Sequence, residues 1–341
     1  MNFDRRIDVL TKLSERLNEN SDEFELVKNE AFLYNNWFTK ENINLAVESI
    51  KKNFLTRDNL LKWTSFYKIP DISTGKKVGL IMAGNIPLVG FHDLLAVFVS
   101  GHTSLIKLSS KDEVLMKYII SLLTEIEPEI KDLIQTVDKL PHVVAVIATG
   151  SNNSYRYFEY YFGKIPHIIR KNRNSVAILS GKESKGDLDN LVYDIHSFFG
   201  LGCRNISKLF VPAGYDFTQL IDLFSNNAEL KMHNKYMNNY EYNLAVTLIN
   251  KDAVIQGENV LLKKDASYIS RLAVINYEEY SKLSSVIEVL KNDRDQLQLI
   301  ATSGGDISGM TIELKFGETQ NPKLWDYADE VDTMAFLSGI E

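Results

Sequence analysis

The sequence predicts an α/β protein built on mainly parallel sheets, and three observations predict it. Short β-type runs, Lys76–Gly84, Thr103–Ser110 and His142–Ser151, alternate with helix-patterned segments that end near Ser100, Ile126 and Phe162. Strands alternating with helices at this spacing form parallel sheets covered by helices on both faces. A second series of the same kind begins near Ser180, and a chain of 341 residues exceeds what one core usually organises. Two α/β domains follow.

Residues 1–68 read as helical, with Leu10, Leu13 and Leu17 at helical spacing and the pattern repeated over Asn42–Lys52 and Arg57–Phe66. Phe32, Tyr34, Trp37 and Phe38 read as packing residues. After Pro70, Lys76–Gly84 is a buried strand with a glycine-bearing exit, and Pro87 suits the first turn of a helix that stops at Gly101. The segment Pro166–Leu179 adds two short strands. In the second series, a helix over Asp189–Phe199 precedes a strand at Lys208–Pro212 and a helix near Asp216–Phe224. Strands at Leu244–Leu248 and Arg271–Ile275, a helix at Glu278–Lys291 and a strand at Gln296–Thr302 complete it. The tail from Gly317 is rich in Trp, Tyr and Phe and should pack back on the first domain. The expected divisions are 1–178, 179–315 and 316–341.

Charge and cysteine content exclude several classes. A net charge of −7 gives no global attraction to nucleic acid or to an anionic membrane. One cysteine rules out an internal disulfide framework and a Cys-rich metal site, which fits a reducing cytoplasm. The N-terminus carries charges where a signal peptide needs an apolar core. The longest apolar run, Ile86–Val99, is interrupted by His92 and Asp93 and is too short to span a bilayer. A cytoplasmic protein without membrane insertion or a bound metal is expected.

In parallel sheets ligands bind beyond the carboxyl ends of the strands. Those ends carry Asn85, Lys107 to Ser110, and Gly150–Ser151. No GxGxxG occurs, but a helix N-terminus can hold a pyrophosphate through its free N–H groups. Ser151 suits that role and equally suits a plain N-cap. Cys203 follows closely on Gly200 and Gly202, at a joint between a helix and a strand. It reads as a nucleophile presented by closely packed backbone, or as a small buried hydrophobe. His196, seven residues earlier, would share its helix face; the other histidines read as hydrogen-bonded structural residues. The stretch Lys235–Asn243 suits core packing or a substrate wall.

Four stations in this order resemble the aldehyde dehydrogenase superfamily, nearest to its LuxC-like acyl-CoA reductases. Gly84-Asn85-Ile86-Pro87 resembles the Trp-Asn-Phe-Pro turn, and Lys107-Leu108-Ser109-Ser110 the Lys-Pro-Ser-Glu ribose site. Thr149-Gly150-Ser151 resembles the Phe-Thr-Gly-Ser phosphate turn, and Gly200-Leu201-Gly202-Cys203 the Gly-Gln-x-Cys nucleophile motif. The resemblance implies an aldehyde dehydrogenase-like fold of two α/β domains with the active-site cleft between them. It implies Cys203 as nucleophile, Asn85 as an oxyanion donor beside the Cys203 N–H, and Lys107, Ser109 and Ser110 on the adenosine ribose. Gly150 and Ser151 would take the pyrophosphate.

Two departures narrow the reaction that the resemblance implies. Aligning the Glu-Leu-Gly-Gly-Lys-Ser segment on Ser175 puts Arg170 where hydrolytic members carry a water-activating glutamate. That favours reduction of an acyl thioester over oxidation of an aldehyde. Ser110, where NAD-preferring members often carry a glutamate, favours NADPH, with NADH as the alternative. The expected activity is therefore reduction of a fatty acyl-CoA or acyl-protein thioester to the aldehyde. An acyl-protein synthetase partner and a homo-oligomer fit the resemblance. The alternatives are an aldehyde dehydrogenase forming free acid and a non-catalytic acyl-binding subunit.

Overall fold

The computed structural model describes residues 1–18, 21–150, 152–304 and 313–340. The chain forms two compact units, Met1–Asn172 with Asn321–Glu341, and Arg173–Gln320.

The first unit opens with four helices, α1 (Phe3–Asn18), α2 (Asp22–Tyr34), α3 (Lys40–Asn53) and α4 (Arg57–Thr64). Ser21, Thr39 and Thr56 each accept a backbone N–H at the start of α2, α3 and α4, which fixes where those helices begin. The strand–helix series follows as β1 (Lys77–Ile81), α5 (Phe91–Val99), β2 (Thr103–Lys107), α6 (Glu113–Ile126) and α7 (Ile130–Leu133). It closes with β3 (Ile134–Thr136), β4 (Ala145–Thr149), α8 (Asn152–Phe162) and β5 (His167–Arg170). The sheet order is β3-β2-β1-β4-β5, and every pairing in it is parallel. α5 is buried over almost its whole length, which explains the apolar run around Leu94–Val99 as core. Among the described residues no helix is long and apolar enough to cross a membrane.

The helix expected to start at Pro87 begins four residues later, at Phe91. Leu88 takes φ 57°, a left-handed conformation that a helix cannot contain, so residues 86–90 form a turn instead. Gly101, at φ 83°, ends α5 where the sequence placed its stop.

The second unit contains β6 (Asn174–Ile178), α9 (Lys185–His196), β7 (Ile206–Pro212), α10 (Thr218–Ser225), α11 (Ala228–Met232) and α12 (Asn234–Asn250). After them come β8 (Val254–Gln256), β9 (Leu261–Lys264), β10 (Val274–Tyr280), α13 (Leu283–Asn292), β11 (Leu297–Thr302) and β12 (Glu313–Lys315). The seven strands are ordered β12-β11-β6-β7-β10-β9-β8, parallel except for β8 on β9.

Three expectations fail here. Leu244–Leu248 is helical, inside α12, because Tyr236, Tyr240, Asn243 and Thr247 bury one face at helical spacing. Its β-branched Val246 and Thr247 imitate a strand locally and are overridden by that packing. The strand expected at Arg271–Ile275 starts at Val274 and runs to Tyr280, since Asn276–Tyr280 pair with β7. The helix expected from Glu278 therefore starts only at Leu283. The short hairpin of β8 and β9 was not legible.

The tail returns to the first unit through α14 (Thr333–Ser338) and the residues before it. Trp63 Nε1 donates to Tyr327 Oη at 2.6 Å, and Tyr67 Oη to Asp332 Oδ2 at 2.8 Å. His92 and His102 meet the carbonyls of Leu324 and Leu337 at 2.9 and 3.0 Å.

Candidate active site

In the first unit the candidate residues gather at the carboxyl edge of the sheet. The strand order reverses between β1 and β4, and such a switch point opens a crevice where dinucleotides bind. Asn85 follows β1, Lys107 ends β2, and Gly150 follows β4. Lys107 and Ser110 are exposed, while Asn85, Ser109 and Gly150 are half-buried. Ser151 lies outside the described residues.

Two glycines allow these loops to pack. A Cβ on Gly84 would stand 2.5 Å from Ser109 Oγ and 3.2 Å from the Asp112 Cβ. The turn holding Asn85 is thereby pressed against the loop holding Lys107 and Ser110. A Cβ on Gly150 would stand 2.8 Å from the Phe158 ring and 2.9 Å from the Ser154 Cβ, so this turn lies tightly on α8. Ser109 Oγ also accepts the Lys111 N–H at 3.3 Å. Lys107, Ser109, Ser110 and Lys111 form a loop of ammonium and hydroxyl donors without an acid, a donor set that suits sugar hydroxyls and phosphate.

Asp112 was missed by sequence reasoning. It is buried, and its Oδ2 accepts the N–H of left-handed Leu88 at 2.8 Å, while Oδ1 has no partner among the described residues. Burial raises its pKa well above the usual carboxylate range, against the smaller opposing effect of the Leu88 N–H. The folded protein therefore keeps this proton at pH values where the unfolded chain has lost it, and stability falls as pH rises through that window. Asp112→Asn keeps an acceptor for Leu88 and removes the charge. Denaturation curves should show the variant gaining on the wild type from pH 4 to pH 8; a difference independent of pH would contradict this assignment.

Arg170 ends β5 and is 6% exposed. Its guanidinium pairs with Asp93 of α5 at 2.5 Å and donates to Thr149 Oγ1 at 3.3 Å and Thr333 Oγ1 at 3.0 Å. The Asp93 carboxylate is thus engaged by a buried cation.

In the second unit, α9 ends at His196 and the chain turns left-handed at Phe198, Phe199 and Gly200, with φ 53°, 57° and 75°. For two bulky side chains this costs on the order of 1–2 kcal/mol each; both rings are buried, which offsets it. Cys203 emerges from this turn exposed, so the buried-hydrophobe reading of it fails. Around it the backbone is heavily tied. Ser175 Oγ of β6 donates to the Cys203 carbonyl at 2.7 Å, and Arg204 Nε donates to the Thr319 carbonyl at 2.5 Å. Asn205 donates to the Asp194 and Ile195 carbonyls of α9 and to the Ser197 carbonyl, and accepts the Gly202 N–H. Buried Asp194 accepts from Gly317 N and from Thr319 N and Oγ1. Burial pushes Asp194 up to about 6, against these same hydrogen bonds.

His196 does not share a helix face with Cys203, because α9 stops at it. Its ring lies 4.6 Å from Phe224 and 6.2 Å from Tyr236, and neither ring nitrogen has a hydrogen-bond partner among the described residues. Burial lowers its pKa to about 3. His92, His102, His167 and His233 are hydrogen-bonded structural histidines. Tyr236 and Tyr240 are core, their hydroxyls donating to the Asn259 and Gly257 carbonyls. Among the described residues no group of three or more His, Cys, Asp or Glu could hold a metal ion.

Neither a family model nor a curated protein matches the sequence. Solved structures do. Aldehyde dehydrogenase 21 from Physcomitrella patens, solved with the product succinate, superposes with a TM-score of 0.69 at 12% identity, covering 99% of this chain and 84% of that one. Aldehyde dehydrogenase C from Pseudomonas syringae, solved with NAD+ and octanal, gives 0.67 at 13% identity, covering 90% and 73%. An NAD+ complex of an aldehyde dehydrogenase from Bacillus cereus gives 0.66 at 15%, also covering 90% and 73%. At such identities the likeness is one of architecture, and the fold of this chain is that of the aldehyde dehydrogenases.

Proposed function

We propose that the protein reduces a fatty acyl-CoA, or an equivalent acyl thioester, to the aldehyde with NADPH. The observation that carries this reading is the exposed Cys203 on a backbone-tied turn between α9 and β7, in an aldehyde dehydrogenase fold. The NAD+ and octanal in the Pseudomonas syringae complex support a nicotinamide cofactor and an aliphatic aldehyde or acyl group.

The Cys203 thiolate attacks the thioester carbonyl, the carbon–sulfur bond to CoA breaks, and CoA leaves as a thiol after taking up a proton. An acyl thioester on Cys203 remains. The chemistry a reduced nicotinamide supplies when bound is a hydride for that acyl carbon. The resulting thiohemiacetal on Cys203 collapses to aldehyde and frees the thiolate. The sum is acyl-CoA, NADPH and a proton giving aldehyde, CoA and NADP+. Lys107, Ser109 and Ser110 would hold the adenosine ribose, and Gly150 and Ser151 the pyrophosphate. Asn85 would donate to the oxyanion of each tetrahedral stage.

Reduction rather than hydrolysis is supported by Arg170. By the resemblance, Arg170 stands where hydrolytic members carry their water-activating glutamate, and its partner Asp93 is held in an ion pair. The acid-free loop Lys107–Lys111 supports NADPH, because nothing there repels a 2′-phosphate.

An NADPH-oxidation assay across acyl-CoA chain lengths, with CoA and aldehyde measured together, tests the reading. Stoichiometric CoA and aldehyde are expected; NADP+-dependent carboxylate from aldehyde without CoA would refute it. Asn85→Ala should lower turnover by ~10²–10³ while leaving thermal stability nearly unchanged. An Asn85→Ala enzyme of normal turnover would remove Asn85 from the oxyanion role.

A further inference from the structure

The turn that carries Cys203 is left-handed over Phe198, Phe199 and Gly200, a shape that needs support from outside itself. Asn205 bridges it. Its Oδ1 accepts the Gly202 N–H at 2.8 Å, directly before Cys203. Its Nδ2 donates to the carbonyls of Ser197 at 2.8 Å, Asp194 at 3.0 Å and, more weakly, Ile195 at 3.4 Å. Asn205 is 3% exposed, and its bonds to the Asp194 and Ile195 carbonyls are fully buried. One amide thus joins the end of α9 to the residue before the thiol, with the left-handed stretch held in between. On the other side, the Ser175 hydroxyl holds the Cys203 carbonyl at the point where the β6–β7 register shifts. Such irregularities re-aim neighbouring groups.

We propose that Asn205 is the positioning residue for the Cys203 thiol, an inference that rests on reading Cys203 as the nucleophile. No other residue type of this size accepts the Gly202 N–H and donates to the α9 carbonyls together. Aspartate could only accept, and its charge would face carbonyl oxygens. Leucine could do neither. The side chain acts through the backbone of Gly202 and does not need to touch the substrate.

Cys203 is the only cysteine, so alkylation by iodoacetamide over a pH series reports on this thiol alone. The measurement is made on the full-length wild type, Asn205→Ala and Asn205→Ser, the serine variant keeping a polar group should the alanine variant fail to fold. The expected result is a changed rate and midpoint of alkylation in the variants. With it should come a kcat lower by about 10²-fold at an unchanged KM for NADPH, as a misplaced reacting atom gives. Variants with lowered melting temperatures but the wild-type alkylation profile would overturn the proposal, leaving Asn205 a structural residue only. If the wild type turns over no acyl-CoA, the proposed function fails, while the alkylation profile, which needs no substrate, still decides the role of Asn205.

Discussion

Cys203→Ser should stop NADPH oxidation and CoA release together, with turnover lower by roughly 10³-fold or more. The change replaces one sulfur by oxygen at an exposed position, so the ties around it, from Ser175, Asn205 and Arg204, should survive. What is lost is nucleophilicity. A thiolate forms near neutral pH, whereas a serine hydroxyl does not ionise there and needs a general base to attack. His196, the histidine nearest in sequence, is sealed between Phe224 and Tyr236 and is not such a base. Turnover, circular dichroism and melting temperature measured on one preparation separate chemistry from folding. Full activity in the serine variant would end the covalent mechanism.

His196→Phe should leave the proposed acyl-CoA reduction intact at neutral pH and remove a large part of the protein's acid sensitivity. In the folded state the ring titrates at about 3, against 6.5 for an unburied histidine, because burial disfavours its charged form. A depressed value means that the unfolded chain takes up the proton first, so stability is complete above about 6.5 and is lost as pH falls toward 3. Each pH unit between the two values is worth about 1.4 kcal/mol, so full protonation costs the fold about 5 kcal/mol. Phenylalanine suits a site lined by aromatic rings and leaves no ring nitrogen without a partner; a swap of this kind costs under about 1.5 kcal/mol. Denaturant midpoints from pH 7 to pH 3 should fall much less in His196→Phe than in the wild type. Parallel curves would show that this histidine is not the acid-labile group.

How much was legible follows from where the signals lie. The alternation of buried strands and helices marks the α/β fold, and the aldehyde dehydrogenase structures share it. The strand-end residues were legible as a set, since Asn85, Lys107 and Gly150 each directly follow or end an apolar run, and the structure brings their loops to one sheet edge. Leu88 was not legible, because a leucine at φ 57° contradicts its own propensity and is held by Asp112, 24 residues away. Leu244–Leu248 misled for the opposite reason: the local β signal is real, and the buried face of α12 outweighs it. Asn205 stood two residues after the cysteine and still gave no signal, since all its partners are backbone groups exposed only once the left-handed turn exists. Cys203 drew attention as the only cysteine, in a stretch that resembles a nucleophile motif. The backbone ties that Asn205 makes have no counterpart in the sequence pattern.

The most direct measurement is intact-protein mass spectrometry after mixing the protein with an acyl-CoA in the absence of NADPH. A mass increase equal to one acyl group, mapped to the Cys203 peptide and discharged when NADPH is added, is the predicted result. Turnover without any acyl adduct on Cys203, or an adduct that NADPH does not discharge, would contradict it.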